Sequence, residues 1–297
     1  MKLLAVYLIC LKLVFSLELD SQCDNHGTLV YEDMNCTPVM KEGQKCPVEF
    51  KCDLEAKNNS CRFRNRDIPV GSDLSNNDTY SACSVGCSCQ ENHSFECAEL
   101  DCPENEAPRP MRSDCYLKYK LGECCSVGTM CARKDNPAEC KVNGATVMEG
   151  EEFYPQNTCL SCVCGKGFAG KYTPEFCQRR SCLVQVHNSD EIKNNCAPLY
   201  DNDKPLCCPD SWICQGSSAS NVTKIAANPK VDQNTGLTCK FGTDTYKLGE
   251  RMLAVLTSKF GTDTYKLGEI MEAVFKSNDI NRRVQCECML PPFLTCR

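Results

Sequence analysis

The chain has 297 residues, 29 of them cysteine, with 33 basic and 39 acidic side chains, a net charge of −6 and a single tryptophan, Trp212. Nearly one residue in ten is cysteine, and without cysteine only about a third of the chain is apolar, which argues against a large enzyme with one thick core and for small domains pinned by disulfides. The acidic balance argues against a nucleic-acid binder that works by neutralising phosphates.

Lys2 precedes the apolar run from Leu3 to Leu11, and Val14 and Ser16 suit the −3 and −1 positions of a cleavage site. Residues 1–16 therefore read as a signal peptide cut after Ser16. Cys10 leaves with it, and the remaining 28 cysteines can pair fully. The run is too short to span a bilayer, and nothing later approaches ~20 apolar residues. A secreted, extracellular protein without a membrane span is expected.

Cys23, Cys36, Cys46 and Cys52 follow, with 12, 9 and 5 residues between them. Next come ten cysteines: Cys61, Cys83, Cys87, Cys89, Cys97, Cys102, Cys115, Cys124, Cys125 and Cys131. Ten more run in the same order: Cys140, Cys159, Cys162, Cys164, Cys177, Cys182, Cys196, Cys207, Cys208 and Cys214. Both sets have four residues between the fifth and sixth cysteines and five after the adjacent pair, so 61–131 and 140–214 are two copies of one module. The intervals among Cys102, Cys115, Cys125 and Cys131 are again 12, 9 and 5, so 23–52 reads as a lone back half with Lys45 replacing one cysteine. Residues 215–238, rich in Ser, Ala, Asn and Gly, read as a flexible linker. Cys239, Cys286, Cys288 and Cys296 then read as a lone front half, 239–296, lacking its second cysteine. Inside it lies a 19-residue tandem repeat, 240–258 and 259–277, matching at 15 positions. The extra unit is expected to bulge as a loop or to compete for the same strand register.

The ten-cysteine order, with C-x-x-C-x-C early and C-C late, resembles the von Willebrand factor type C module over 61–131 and 140–214. Both copies lack the tryptophan often found before the second cysteine. The fold class this resemblance implies is small disulfide-rich all-β or irregular modules in tandem, two full ones flanked by two halves. The family's connectivity implies Cys61–Cys89, Cys83–Cys124, Cys87–Cys97, Cys102–Cys125 and Cys115–Cys131. It likewise implies Cys140–Cys164, Cys159–Cys207, Cys162–Cys177, Cys182–Cys208 and Cys196–Cys214. For the halves it implies Cys23–Cys46, Cys36–Cys52, Cys239–Cys288 and Cys286–Cys296. The family's bond from second to eighth cysteine joins front to back, and those are the two positions that the lone halves lack.

No enzyme is indicated. His26, His93 and His187 lie in polar surroundings, outside any H-E-x-x-H, and no G-x-S-x-G occurs. Cys159 and Cys162 would bind zinc or exchange thiols only as free thiolates; on a secretory route they read as structural disulfides, with no metal or cofactor expected. Sequons mark Asn35, Asn58, Asn77, Asn92 and Asn221 as glycan sites, led by Asn77 and Asn221. Arg62, Arg64 and Arg66 on one strand would share a face, a weak heparan sulfate candidate beside the plainer reading of a solvated strand. The Arg179-Arg180 and Arg282-Arg283 pairs read as surface charge.

Type C modules similar to those of chordin-like and crossveinless-like proteins bind growth factors of the bone morphogenetic protein class, through apolar residues of the front half. The comparable residues are Val147, Met148, Phe153 and Tyr154, whose alternative role is packing against their own sheet. The expected function is a secreted, protein-binding modulator of a growth factor of the transforming growth factor-β superfamily. The alternatives are a structural matrix or secretion component and a protease inhibitor.

Overall fold

The computed structural model describes residues 21–57, 59–106, 111–201, 205–216, 219–257 and 281–297. The expected signal peptide, Asn58 and the second repeat unit lie outside the described residues. Short strands in small sheets dominate, and the longest described helix, Thr28–Asp33, has six residues. No described helix is long and apolar enough to cross a membrane.

Three hairpins are built alike. Ser60–Phe63 pairs with Arg66–Pro69, Glu139–Val142 with Ala145–Met148, and Thr238–Phe241 with Asp244–Lys247. In each, the cysteine faces the residue seven positions on: Cys61 opposite Ile68, Cys140 opposite Val147, Cys239 opposite Tyr246. The residue two after that cysteine shares its face, and Phe63, Val142 and Phe241 are all buried. The turns Arg64-Asn65 (φ 45° and 63°) and Asn143-Gly144 (φ 50° and 83°) are left-handed at both positions, the twist that a two-residue hairpin needs.

Each hairpin is followed by a glycine in the left-handed region: Gly71, Gly150 and Gly249, at φ 80°, 87° and 80°. Their N–H groups donate to the carbonyls of Cys89, Cys164 and Cys288 at 2.8, 2.7 and 2.8 Å. The same three cysteines donate back to Ser72, Glu151 and Glu250, each at 3.0 Å. Disulfides Cys61–Cys89, Cys140–Cys164 and Cys239–Cys288 close the three loops. Three stretches of different sequence thus share one covalent and hydrogen-bonded plan.

A second hairpin type also recurs. Thr37–Val39 pairs with Glu49–Lys51, Cys115–Lys118 with Gly128–Cys131, and Ala197–Leu199 with Ser211–Ile213. Disulfides Cys36–Cys52, Cys115–Cys131 and Cys196–Cys214 pin their open ends. The remaining bonds are Cys83–Cys124, Cys87–Cys97, Cys102–Cys125, Cys159–Cys207, Cys162–Cys177, Cys182–Cys208 and Cys286–Cys296. Cys23 and Cys46 are each disulfide-bonded as well. Each bond of this kind stabilises by about 2–4 kcal/mol, mainly by restricting the unfolded chain.

The chain forms two compact units, one of Met1–Asn35, Ala56–His187 and Pro205–Cys208, the other of Cys36–Glu55, Asn188–Lys204 and Pro209–Arg297. The cysteine blocks 23–52 and 140–214 each contribute to both. In the first unit, one cluster gathers Phe63, Leu74, Phe95, Leu183 and Val186 around Cys61, Cys87 and Cys89. Another gathers Val142, Phe153, Leu160 and Phe176 around Cys140, Cys162, Cys164 and Cys177.

The second unit is organised by one larger sheet. Its strands run in the order Ser211–Ile213, Ala197–Leu199, Phe293–Cys296, Asn281–Leu290, Arg251–Thr257, Ala219–Ile225. Phe241, Tyr246, Met252, Ala254, Val284 and Leu294 fill its core, and Trp212 meets Phe293 edge-on at 6.0 Å. Phe50 donates its backbone N–H to the Pro291 carbonyl at 3.0 Å, bringing the hairpin of the first cysteine block to the last. The stretch 215–238, expected to be a flexible linker, instead contains a strand. Ala219–Ile225 pairs antiparallel with Arg251–Thr257, and Val222 packs on the core. β-Branched residues at 222, 223 and 225 suit that pairing.

Candidate binding surface

The site is positioned by buried carboxylates near the N-terminus. Asp24, fully buried, accepts the Cys159 backbone N–H at 2.5 Å and the Arg179 guanidinium at 3.0 Å. Glu32 receives the same guanidinium at 2.6 Å. Asp33 accepts the Val184 N–H at 3.0 Å, the Ser181 hydroxyl at 3.1 Å and Arg64 at 3.2 Å. Burial works to lower the Arg179 pKa, but its bonds with Asp24 and Glu32 outweigh this and hold it above the ordinary arginine value. Arg179, expected as surface charge, is therefore a structural cation. Its carboxylate partners lie about 150 residues away in sequence, beyond the reach of any local pattern.

The arginine row is also corrected. Arg62 and Arg66 sit on two different strands, with Arg64 in the left-handed turn between them. The three do not form a stripe along one strand. Arg62 pairs with Asp67 at 2.9 Å, Arg64 with Asp33 at 3.2 Å, and Arg66 with Asp78 at 2.7 Å. Arg64 and Arg66 also lie over the Phe63 ring, 4.9 and 5.4 Å from its centre. Carboxylates thus already occupy the guanidinium groups that a sulfated polysaccharide would need.

The four apolar candidates separate by direction. Phe153 is buried on the strand Glu152–Phe153, edge-on to Phe168 at 5.5 Å, so it offers no surface to a partner. Val147 packs partly buried on the same cluster, and Met148 is half-buried at the end of its strand. Tyr154, one residue beyond Phe153, faces outward and is 60% exposed. Neighbouring residues of an extended chain point to opposite sides. The Arg180 guanidinium lies 5.9 Å from the Tyr154 ring centre, and Glu152 accepts from its phenol at 3.5 Å. Burial and the Glu152 charge push the Tyr154 pKa up; Arg180 pulls against them.

Tyr154 and Arg180 edge a hollow of about 320 Å³ completed by Ser81, Ser161, Gln178 and Ser181. Ser161 and Gln178 are cross-strand partners of the hairpin Leu160–Val163 with Cys177–Arg179. The neighbouring Leu160 and Cys162 are buried, so this strand alternates inward and outward. Disulfides Cys162–Cys177 and Cys159–Cys207 fix that hairpin.

The other candidate groups are placed as follows. His93 lies 3.2 Å from the Ser60 carbonyl, His187 lies 3.4 Å from the hydroxyl of buried Ser84, and His26 ends a short 3₁₀ turn. The sulfurs of Cys83, Cys102 and Cys124 lie within 4.8 Å of one another, but all three are disulfide-bonded and none is a thiolate ligand. Asn35, Asn77 and Asn92 are exposed, and Asn221 lies on the strand Ala219–Ile225. Arg283 is exposed on the strand Asn281–Leu290. No family model, curated protein or solved structure matches the chain.

Proposed function

We propose that this is a secreted, non-enzymatic binding protein built of tandem type C-like modules, modulating a growth factor of the bone morphogenetic protein class. The observation that supports it best is Tyr154, a large aromatic side chain left 60% exposed beside a disulfide-pinned hairpin. Such a surface loses little conformational entropy on association, and exposed tyrosines are frequent anchors of protein interfaces. Phe153 belongs to the module's own core and is withdrawn from the contact surface.

The test is direct binding of the intact, fully oxidised protein to a panel of bone morphogenetic protein and activin ligands. Tyr154→Ala is expected to weaken binding about tenfold or more while secretion is unchanged. Absence of binding at micromolar concentration overturns the growth-factor reading, and self-association or matrix retention would then favour a structural component.

A further inference from the structure

We propose that the hollow beside Tyr154 binds a carboxylated sugar residue. Arg180 forms no ion pair among the described residues; its one charge contact is with the Tyr154 ring. The side chains of Ser81, Ser161 and Gln178 likewise make no hydrogen bond among the described residues. One uncommitted cation, two free hydroxyls and a free amide therefore converge on about 320 Å³.

Each feature selects part of the ligand. A guanidinium presents paired donors that match a carboxylate. Serine hydroxyls both donate and accept, and an amide offers both functions side by side, which suits a ring bearing several hydroxyls. Glu152, at the phenol end, adds an acceptor for one more hydroxyl. The Tyr154 ring is the main apolar wall, enough for the C–H face of a sugar. A peptide side chain with a carboxylate would satisfy Arg180 and leave the serines and Gln178 unused. The volume admits about one monosaccharide residue.

The architecture keeps these groups in place. The Arg180 N–H donates to the Cys159 carbonyl at 3.0 Å. On the opposite side of the same hairpin, Arg179 is held by Asp24 and Glu32. Ser181, at the hollow's edge, is already committed to Asp33 at 3.1 Å. The inference shares Tyr154 with the proposed growth-factor surface but does not depend on it. Arg180 and Ser161 separate the two.

The experiment is ligand-observed NMR on the intact protein with three methyl glycosides: N-acetylneuraminic acid, glucuronic acid and galactose. Either acidic sugar is expected to bind at least about tenfold more tightly than galactose, the size of a charge-assisted contact. The stronger of the two names the source, a glycoprotein terminus or a glycosaminoglycan. Arg180→Ala is expected to reduce the acidic sugar to galactose level, Arg180→Lys to restore part of it, and Ser161→Ala to weaken all three. Intact disulfides, measured by mass, serve as the folding control for each variant. Equal binding of galactose, no binding of either acid at about 10 mM, or full binding by folded Arg180→Ala overturns the proposal.

Discussion

Arg179→Ala tests how the N-terminal segment is held. The substitution removes a guanidinium 2.8 Å from Asp24 and 2.6 Å from Glu32. Asp24 is then a buried carboxylate whose remaining hydrogen-bond donor among the described residues is the Cys159 N–H. Breaking a buried pair in this way costs about 3–5 kcal/mol. Arg179 is 21% exposed, so water relieves part of the loss and the lower end, about 3 kcal/mol, is expected. Global unfolding is a poor measure in a multi-unit protein that need not unfold in two states. Local hydrogen exchange is better. The Cys159 and Met34 amides, bonded to Asp24 and Val30, should lose about 100-fold in protection, the equivalent of about 3 kcal/mol. Asp24→Asn alone keeps an acceptor for Cys159, and the Asp24→Asn/Arg179→Ala double variant should lose clearly less than the sum. A change below tenfold, or strict additivity, refutes the view that Arg179 holds this segment through Asp24.

Other consequences are equally open to measurement. The Ser126 N–H donates to Glu104 at 2.7 Å and holds its carboxyl below the ordinary glutamate value. That stabilisation is complete above the unfolded pKa and is lost as pH falls through the lower, folded one. Carboxyl NMR titration should therefore show a depressed midpoint, and Glu104→Gln should abolish the acid-dependent loosening of the Ser126 amide. Gly249→Ala and Gly236→Ala both place a side chain at positive φ, 80° and 77°, a strain of about 1–2 kcal/mol. Only the former drives a methyl to 2.8 Å from Val231, whereas Gly236 faces open space, so Gly249→Ala should melt lower in paired thermal scans. Phe153→Ala should cost about 3–5 kcal/mol and lower the yield of correctly oxidised protein, while Tyr154→Ala should stay within about 0.5 kcal/mol of the parent.

The repeated order of the cysteines is legible in the sequence, because it marks 61–131 and 140–214 as copies of one module. The three hairpins that begin at Cys61, Cys140 and Cys239 follow one plan in the structure, but the cysteine intervals alone do not reveal it, since 21, 18 and 46 residues separate each from the next cysteine. Adjacent residues of an extended chain face opposite ways, so Phe153 and Tyr154 could not both present their side chains to one partner surface. Alternation alone puts Arg62, Arg64 and Arg66 on one face, whereas the structure turns the chain at Arg64-Asn65; Asn65 is the one local sign of that turn. The role of Arg179 was not legible, because nothing local points to Asp24 or Glu32. The strand Ala219–Ile225 was missed for a related reason: its partner is Arg251–Thr257, and composition alone reads as solvent-loving. The Tyr154 hollow needs Ser81 and Arg180 together, a proximity created only by tertiary packing.

The four cysteines after Ala219 pair only among themselves, as Cys239–Cys288 and Cys286–Cys296. A protease cut between Cys214 and Ala219 would therefore yield two fragments with no covalent bond between them, held by strand pairing such as Leu199 with Cys296. In the intact chain the backbone tether supplies a high effective concentration for that pairing. Once cut, the association obeys dilution. The C-terminal fragment would then leave at low concentration without any disulfide being reduced, a release step governed by proteolysis and mass action rather than by redox.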